Sequence, residues 1–213
     1  MSSSKDRRAT TPPGILSFPD LFKARSFKNA DGTETEPKFG GVLVWTPAMK
    51  VNLDKLKAIV AVAGAEKFGE EGFKKLLKSK KYRSPFRNAD EDEVRRYPEG
   101  SIYITAKSKD KPGLVSKYKD PKTGKAAVIT DPEEFYPGAL VAFSVTAFGY
   151  DVMGNKGVSF AINNVQKVGD GPRLDNRIKA EDEFSAEDAE EASLDEVDNE
   201  EEAGGEEDLT SLM

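Results

Sequence analysis

The sequence predicts a small, mainly β domain with a helical insertion, followed by a disordered acidic C-terminal tail. Short segments of alternating polarity, one helical region between them and a C-terminal segment rich in Asp and Glu support this prediction. Strands and helices do not alternate regularly, as they do in a doubly wound parallel sheet, so about five twisted strands indicate a compact barrel. We expect a flexible N-terminus at residues 1–14, the barrel domain at 15–178 and the tail at 179–213.

The first two predicted strands form a hairpin. Residues 21–28 alternate in polarity, and residues 39–46 form an apolar strand after the turn pair Asp31–Gly32. Trp45 lies in this apolar strand and is assigned to the core. The alternation of the first strand places three side chains on one outward face: Lys23, Arg25 and Phe27.

Two helical segments are predicted after the hairpin. Asn52 is the expected N-terminal cap of the first helix, whose apolar residues recur at helical spacing as far as Gly64, the expected stop. The second helix spans residues 66–80, with apolar residues on one stripe and lysines on the other. Residues 81–100, which contain two prolines, are expected to be irregular.

Three further strands are predicted at residues 101–107, 139–150 and 157–168. In the first of them Ile102, Ile104 and Ala106 are expected to point inward. The outward side chains are then Tyr103, Thr105 and Lys107. Residues 107–125 are expected to form a long, lysine-rich loop around Tyr118.

Several kinds of site are excluded by residue types that the chain lacks. It contains no Cys, so it forms neither disulfides nor thiolate nucleophiles, and it contains no His, the commonest general base near neutral pH. Zinc sites with Cys and His ligands are therefore excluded. The acidic residues 90–93 are the one candidate for a Mg²⁺ site, and their polar surroundings favour a solvated loop. We expect no cofactor, no metal and no enzymatic activity.

No segment of the sequence indicates insertion into a membrane. The longest apolar run, residues 58–65, is too short to cross a bilayer, and the polar N-terminus does not have the pattern of a secretory signal. We therefore expect an intracellular protein.

Charge is strongly sorted along the chain. Residues 181–213 contain 16 acidic residues and no Lys or Arg, which leaves 22 acidic and 32 basic residues in 1–180 and a net charge of +10 there. A tethered acidic segment can occupy a basic groove as a mimic of DNA, because tethering gives it a high effective concentration. When DNA displaces the tail, its apolar end can bind another protein. The anchors are Leu209, Leu212 and Met213.

Cations and aromatic rings occur together on the predicted strand faces. Cations neutralise phosphates, and flat rings stack on unpaired bases with little sequence preference, so we predict a surface for single-stranded nucleic acid. The surface residues are Lys23, Arg25, Phe27, Tyr103 and Lys107, with Tyr82, Arg83 and Tyr118 as flanking contacts.

The most distinctive motifs lie after residue 100. They are FYPG at 135–138, GNKGVSF at 154–160 and NNVQKV at 163–168. Looser matches are LFKAR at 21–25, AKS at 106–108 with KPG at 111–113, and AEDEF at 180–184. Together these segments resemble a family of phage single-stranded DNA-binding proteins over about residues 15–185.

This resemblance implies an OB-fold and single-stranded DNA binding in phage replication and recombination, in the cytoplasm of an infected bacterial host. It also implies that the acidic C-terminus contacts replication proteins such as a polymerase or a helicase. Proteins of this kind are often homodimers.

Three other functions stay open on the residues alone. An interaction protein or chaperone would act through its acidic tail and would lose its activity when residues 181–213 are deleted. A Mg²⁺-dependent nuclease would use the acids near Asp90 and would cleave strands. An RNA-binding OB-fold protein is separated from a DNA-binding one by comparing substrates.

Overall fold

The chain is described by a computed structural model that covers residues 4–28, 32–91, 97–152 and 154–175. The predicted tail at 179–213 lies outside these residues. Within them the chain forms ten strands and two helices. They are β1 (Arg8–Thr10), β2 (Gly14–Arg25), β3 (Lys38–Trp45), α1 (Asp54–Phe68), α2 (Glu70–Leu77), β4 (Tyr82–Arg83), β5 (Phe86–Asn88), β6 (Ile102–Ser108), β7 (Gly113–Lys119), β8 (Ala126–Val128), β9 (Leu140–Val152) and β10 (Asn155–Gly169).

Five of these strands close a barrel. β9 pairs with β2, β2 with β3, β3 with β6, β6 with β10, and β10 with β9 again. The β6–β10 pairing is parallel, and the other four are antiparallel. This strand order is that of the OB-fold, a five-stranded Greek-key barrel. The predicted OB-fold-like barrel with a helical insertion is therefore confirmed, and α1 and α2 form the insertion between β3 and β6.

Large apolar side chains fill the barrel: Leu16, Leu43, Ile104, Phe143 and Phe160. Complete burial of such a side chain contributes about 1.5–3 kcal/mol relative to exposure. Trp45 also belongs to this core, as predicted, and its indole Nε1 donates a hydrogen bond to the carbonyl of Pro13 at 3.0 Å. The polar edge of the indole is thereby satisfied inside the domain.

The helices differ from their predicted bounds for a packing reason. Asn52 Oδ1 accepts a hydrogen bond from the backbone N–H of Asp54 at 2.7 Å, so the predicted start is close to the observed one. However, α1 continues through Gly64, because this glycine is a contact position and not a stop. A Cβ there would lie 2.3 Å from the Phe73 ring of α2. The turn between the helices occurs instead at Gly69, which has φ +73°.

Three segments predicted to be irregular belong in part to the sheet. Residues 81–100 contain β4, which pairs with β10, and β5, which pairs with β6. Residues 8–10, inside the expected flexible N-terminus, form β1 and pair with β9. Residues 107–125, expected to be a loop, contain β7, which pairs in parallel with β10, and β8 follows at the edge of the sheet. None of the helices in the described part of the chain is long and apolar enough to span a membrane.

Candidate nucleic-acid interface

A cationic and aromatic cluster forms where β2 and β6 end. The Lys107 Nζ lies 4.4 Å from the centre of the Phe27 ring, and the guanidinium carbon of Arg25 lies 5.9 Å from the same point. The Phe27 side chain is 47% exposed. Both cations are within the distance of a cation–π contact, so the ring and the charges present one surface. We call Arg25, Phe27 and Lys107 the basic-aromatic patch.

Backbone contacts fix the position of this patch. The N–H of Phe27 donates to Thr35 Oγ1 at 2.8 Å, and the carbonyl of Phe27 accepts from the N–H of Thr35 at 2.8 Å. Lys107 lies opposite Gly40 in the β3–β6 pairing. A Cβ added to Gly40 would lie 2.3 Å from the carbonyl oxygen of Ala106. Gly40 therefore permits the close approach of the strand that carries Lys107.

An acidic residue of β2, Asp20, faces the patch. The Asp20 carboxylate lies 3.8 Å from the guanidinium of Arg25. Partial burial raises the pKa of Asp20, while the positive charges of Arg25 and Lys107 act in the opposite direction. Asp20 thus competes with any bound phosphate for the cations of the patch.

Lys23 extends the cationic surface along β2. Its side chain is exposed two residues before Arg25, on the same face of the strand, as the alternation predicted. Lys109, just after β6, forms an ion pair with Glu36 at 2.8 Å. The surface around the patch is therefore a field of exposed cations with a few acidic partners.

Tyr103 lies on the expected face of β6, but its predicted exposure is wrong. It is opposite Val44 of β3 and only 3% exposed, because the Tyr97 ring packs against it at a centroid distance of 5.4 Å. With Val42 and Val44 it forms a small second apolar cluster on the outside of the barrel. Tyr103 therefore supports that face and presents no ring to solvent.

Tyr82 and Arg83 lie on another pair of strands. They pair with Lys156 and Gly157 of β10. Tyr82 packs edge-on against Phe73 at 5.9 Å, and this burial, with a smaller effect of nearby Tyr150, raises the pKa of Tyr82 to about 12. Arg83 is exposed. Tyr82 is thus mainly a packing residue, while Arg83 is available at the surface.

Tyr118 is a second exposed ring beside a cation. It lies on β7 with 69% of its side chain exposed, and the Lys117 Nζ is 5.1 Å from its ring centre. The chemistry matches that of the basic-aromatic patch, on a strand that pairs with β10. A flanking role for Tyr118 stays a prediction.

A family model described as "Enterobacter phage Enc34, ssDNA-binding protein" matches residues 13–194. The chain belongs to this family. The resemblance predicted from the motifs is therefore confirmed, and the family is one of DNA-binding proteins rather than of enzymes.

Two solved structures of the Enc34 single-stranded DNA-binding protein are similar to this member of the family. The first is 17% identical, covers 85% of this chain and 92% of the Enc34 chain, and has a TM-score of 0.57. The second is described as a complex with ssDNA and is 16% identical. The match covers 80% of this chain and 91% of the Enc34 chain, with a TM-score of 0.58. No curated protein sequence matches the chain. At these identities the structures establish the shared fold.

In this family member, the last described residues lie beside the patch. The Arg173 side chain donates two hydrogen bonds to the Asp175 carboxylate, at 2.9 and 3.1 Å, and lies 4.7 Å from the Tyr136 ring centre. A surface groove of about 410 Å³ is lined by both Arg25 and Asp175. The main chain therefore leaves the described domain next to the patch, a long-range feature that no local sequence pattern signals. Leu209, Leu212 and Met213 lie outside the described residues.

The candidate acidic metal site is described only at its first two positions, 90 and 91. The Asp90 carboxylate accepts a hydrogen bond from the backbone N–H of Gly100 at 2.9 Å, so it stabilises a turn. Across the part of the chain that the structure describes, no group of three or more acidic residues is placed to hold a metal ion.

Proposed function

We propose that this protein binds single-stranded DNA without sequence preference during phage DNA replication and recombination. The observation that carries the proposal is the exposed Phe27 ring beside the cations of Arg25 and Lys107. Family membership supports it, as does the description of the related Enc34 structure as a complex with ssDNA.

The patch suits an unpaired strand better than a duplex. Its cations neutralise phosphates and release counterions, while the Phe27 ring can stack only on a base whose face is open. The patch lies at the hairpin between the first two barrel strands, β2 and β3, and OB-folds bind oligonucleotides at this loop and the adjoining sheet face. An OB-fold typically covers about 4–16 nucleotides. Lys23, Arg83 and Tyr118 are the proposed flanking contacts.

The acidic tail is proposed to compete with DNA for the patch. Its attachment beyond Asp175, which shares a groove with Arg25, supports this because a short tether gives a high effective concentration. Once DNA displaces the tail, Leu209, Leu212 and Met213 are proposed to contact a replication protein such as a polymerase or a helicase. We place this activity in the cytoplasm of an infected bacterial host, with the protein acting as a homodimer.

The test is fluorescence anisotropy of the full chain with labelled single-stranded DNA, duplex DNA and RNA of equal length. Single-stranded DNA should bind much more tightly than duplex, and Phe27→Ala should weaken it by about 1–3 kcal/mol, the usual value of one base–ring stack. Leu77→Ala, at an exposed apolar residue of α2, is the control and should bind like the wild type.

Two other outcomes would favour a different function. Equal or tighter binding of RNA would favour an RNA-binding OB-fold protein. Absence of binding to every strand would contradict the proposal and point to an interaction protein that acts through its tail.

A further inference from the structure

Phe18 has an unusual backbone conformation for its residue type. Its φ is +48°, in the left-handed region where a Cβ is crowded by the backbone and where bulky residues are rare. It lies in β2 at an irregularity, since the pairing with β3 shifts register between Ser17 and Asp20. A bulge of this kind re-aims a side chain, and strained residues of this kind cluster at binding sites.

The bulge leaves Phe18 exposed at the surface of the domain. Its side chain is 53% exposed, whereas the neighbouring apolar residues of β2, Leu16 and Leu21, are fully buried. Gly or Asn would occupy this conformation with less strain than Phe, so backbone geometry alone does not explain a ring here.

Two grooves meet at Phe18. One, of about 360 Å³, runs between Phe18 and Tyr97 over an apolar floor formed by Ile15 and Val44. The other, of about 410 Å³, joins Phe18 to Arg25 of the basic-aromatic patch. An apolar slot with an aromatic wall therefore lies on one side of the ring. The groove on the other side holds the cation of Arg25 together with the acidic residues Asp20 and Asp175.

An unpaired base with its phosphate is the ligand that fits this arrangement. The base is flat and can lie against the Phe18 ring over the apolar floor, while the adjoining phosphate can be neutralised by Arg25. The slot lies on the outside of β2 and β3, the first two strands of the barrel. It adjoins the outer face of β3 and β6, the second and third barrel strands, on which OB-folds bind oligonucleotides.

We propose that Phe18 is a second base-stacking residue and that one base of a bound single strand occupies the groove between Phe18 and Tyr97. This inference rests on the proposed function. The strand then passes from Phe27 past Arg25 to Phe18.

The variant Phe18→Gly tests the contribution of the ring to binding without disturbing the fold. Glycine adopts positive φ without strain, so the substitution removes the ring and leaves the bulge in place. We expect a melting temperature that does not fall and an affinity for single-stranded DNA that is about 5- to 150-fold lower, as for the loss of one stack. Phe18→Tyr, which keeps a stacking ring, should retain wild-type affinity.

The decisive comparison uses an abasic strand of equal length, measured by anisotropy at low salt. An abasic strand keeps the phosphates but has no base to stack, so Phe18→Gly and the wild type should bind it equally. The dependence of affinity on salt should also be unchanged, because no phosphate contact is removed.

Failure of this inference and failure of the proposed function give different results. If the wild type binds no single strand, the proposed function fails. If the wild type binds and Phe18→Gly binds normal DNA as well as it does, or loses affinity equally for normal and abasic strands, only the role of Phe18 is overturned.

Discussion

In the proposed interface, Lys107 would act on a bound strand through its charge, whereas the Phe27 ring, whose centre is 4.4 Å from Lys107 Nζ, would act through its surface. We therefore expect Lys107→Gln to weaken single-stranded DNA binding and to reduce the slope of log affinity against log salt by about 0.7 for one lost phosphate contact. Phe27→Leu should weaken binding with no change in slope. Anisotropy across a salt series measures both quantities. An unchanged slope for Lys107→Gln would mean that this lysine contacts no phosphate.

Asp20 places a negative charge beside the cations of the basic-aromatic patch. It is paired with Arg25 at 3.8 Å, and partial burial, which disfavours the charged carboxylate, raises its pKa. Asp20→Asn removes a negative charge from the patch, and we expect single-stranded DNA to bind up to about fivefold more tightly, the scale of one exposed ion pair. Weaker binding by this variant in the same anisotropy assay would show that Asp20 instead holds Arg25 in its binding position.

Tyr82 makes the stability of the domain sensitive to high pH. Its pKa is raised to about 12 in the folded protein, whereas an unfolded tyrosine ionises near pH 10. The folded state therefore holds this proton more tightly, so the stabilisation is complete below pH 10 and is lost as the pH rises from 10 to 12. Urea unfolding over this range should show a shallower loss of stability in Tyr82→Phe than in the wild type. Tyr118→Phe, at an exposed ring, is the control and should follow the wild type.

At the scale of the helices, substitution of two glycines by alanine should change the stability of the protein in opposite directions. In α1, a Cβ at Gly64 would lie 2.3 Å from the Phe73 ring, so Gly64→Ala should overpack the contact with α2 and destabilise the protein by about 1–3 kcal/mol. In α2, a Cβ at Gly72 would be 3.8 Å from its nearest neighbour, so Gly72→Ala should stabilise by about 0.5–1 kcal/mol. Urea unfolding of both variants tests the pair, and equal signs would contradict the packing described for Gly64.

β6, β9 and β10 were predictable because apolar residues alternate along them, and β3 because it is a continuous apolar run. Of β2, which spans Gly14–Arg25, only the part after residue 20 was predicted. β7 was not, because Leu114 is the one side chain that it buries and its partner β10 lies far along the chain. The face of Tyr103 was predictable, but the ring of Tyr97 that covers it comes from a segment that sequence periodicity does not place. Local pattern therefore defines which side of a strand a residue occupies, and not what packs over it.

The same limit applies to the interface. Arg25 and Phe27 were predictable as one surface because they lie two residues apart in the strand predicted at 21–28, although β2 ends at Arg25. Lys107 was predictable as an outward residue of β6. Their contact depends on the pairing of β2 with β3 and of β3 with β6, which is a property of the closed barrel. Phe18 was not predicted, since a bulge with positive φ at a phenylalanine has no signal in composition or periodicity.

At the scale of the whole molecule, we propose that the segregation of charge controls the affinity for a single strand. Residues 1–180 carry a net charge of +10, and residues 181–213 carry 16 acidic residues without a basic one. The described chain ends at Asp175, in a groove shared with Arg25. The proposed competition between tail and DNA would be intramolecular and would depend little on protein concentration.

Truncation to residues 1–180 should therefore tighten single-stranded DNA binding most at low salt, and the two proteins should converge as salt rises, because both interactions are screened. A full-length variant with every acidic residue of 181–213 changed to its amide should behave like the truncation. This variant keeps the length of the tail and removes its charge, so it separates the two effects. The same tail added as a free peptide should compete only at high concentration, since it lacks the tether. Anisotropy across a salt series distinguishes these cases. If truncation leaves affinity unchanged at low salt, the tail does not occupy the patch, and if truncation abolishes the activity, the tail itself is the binding element.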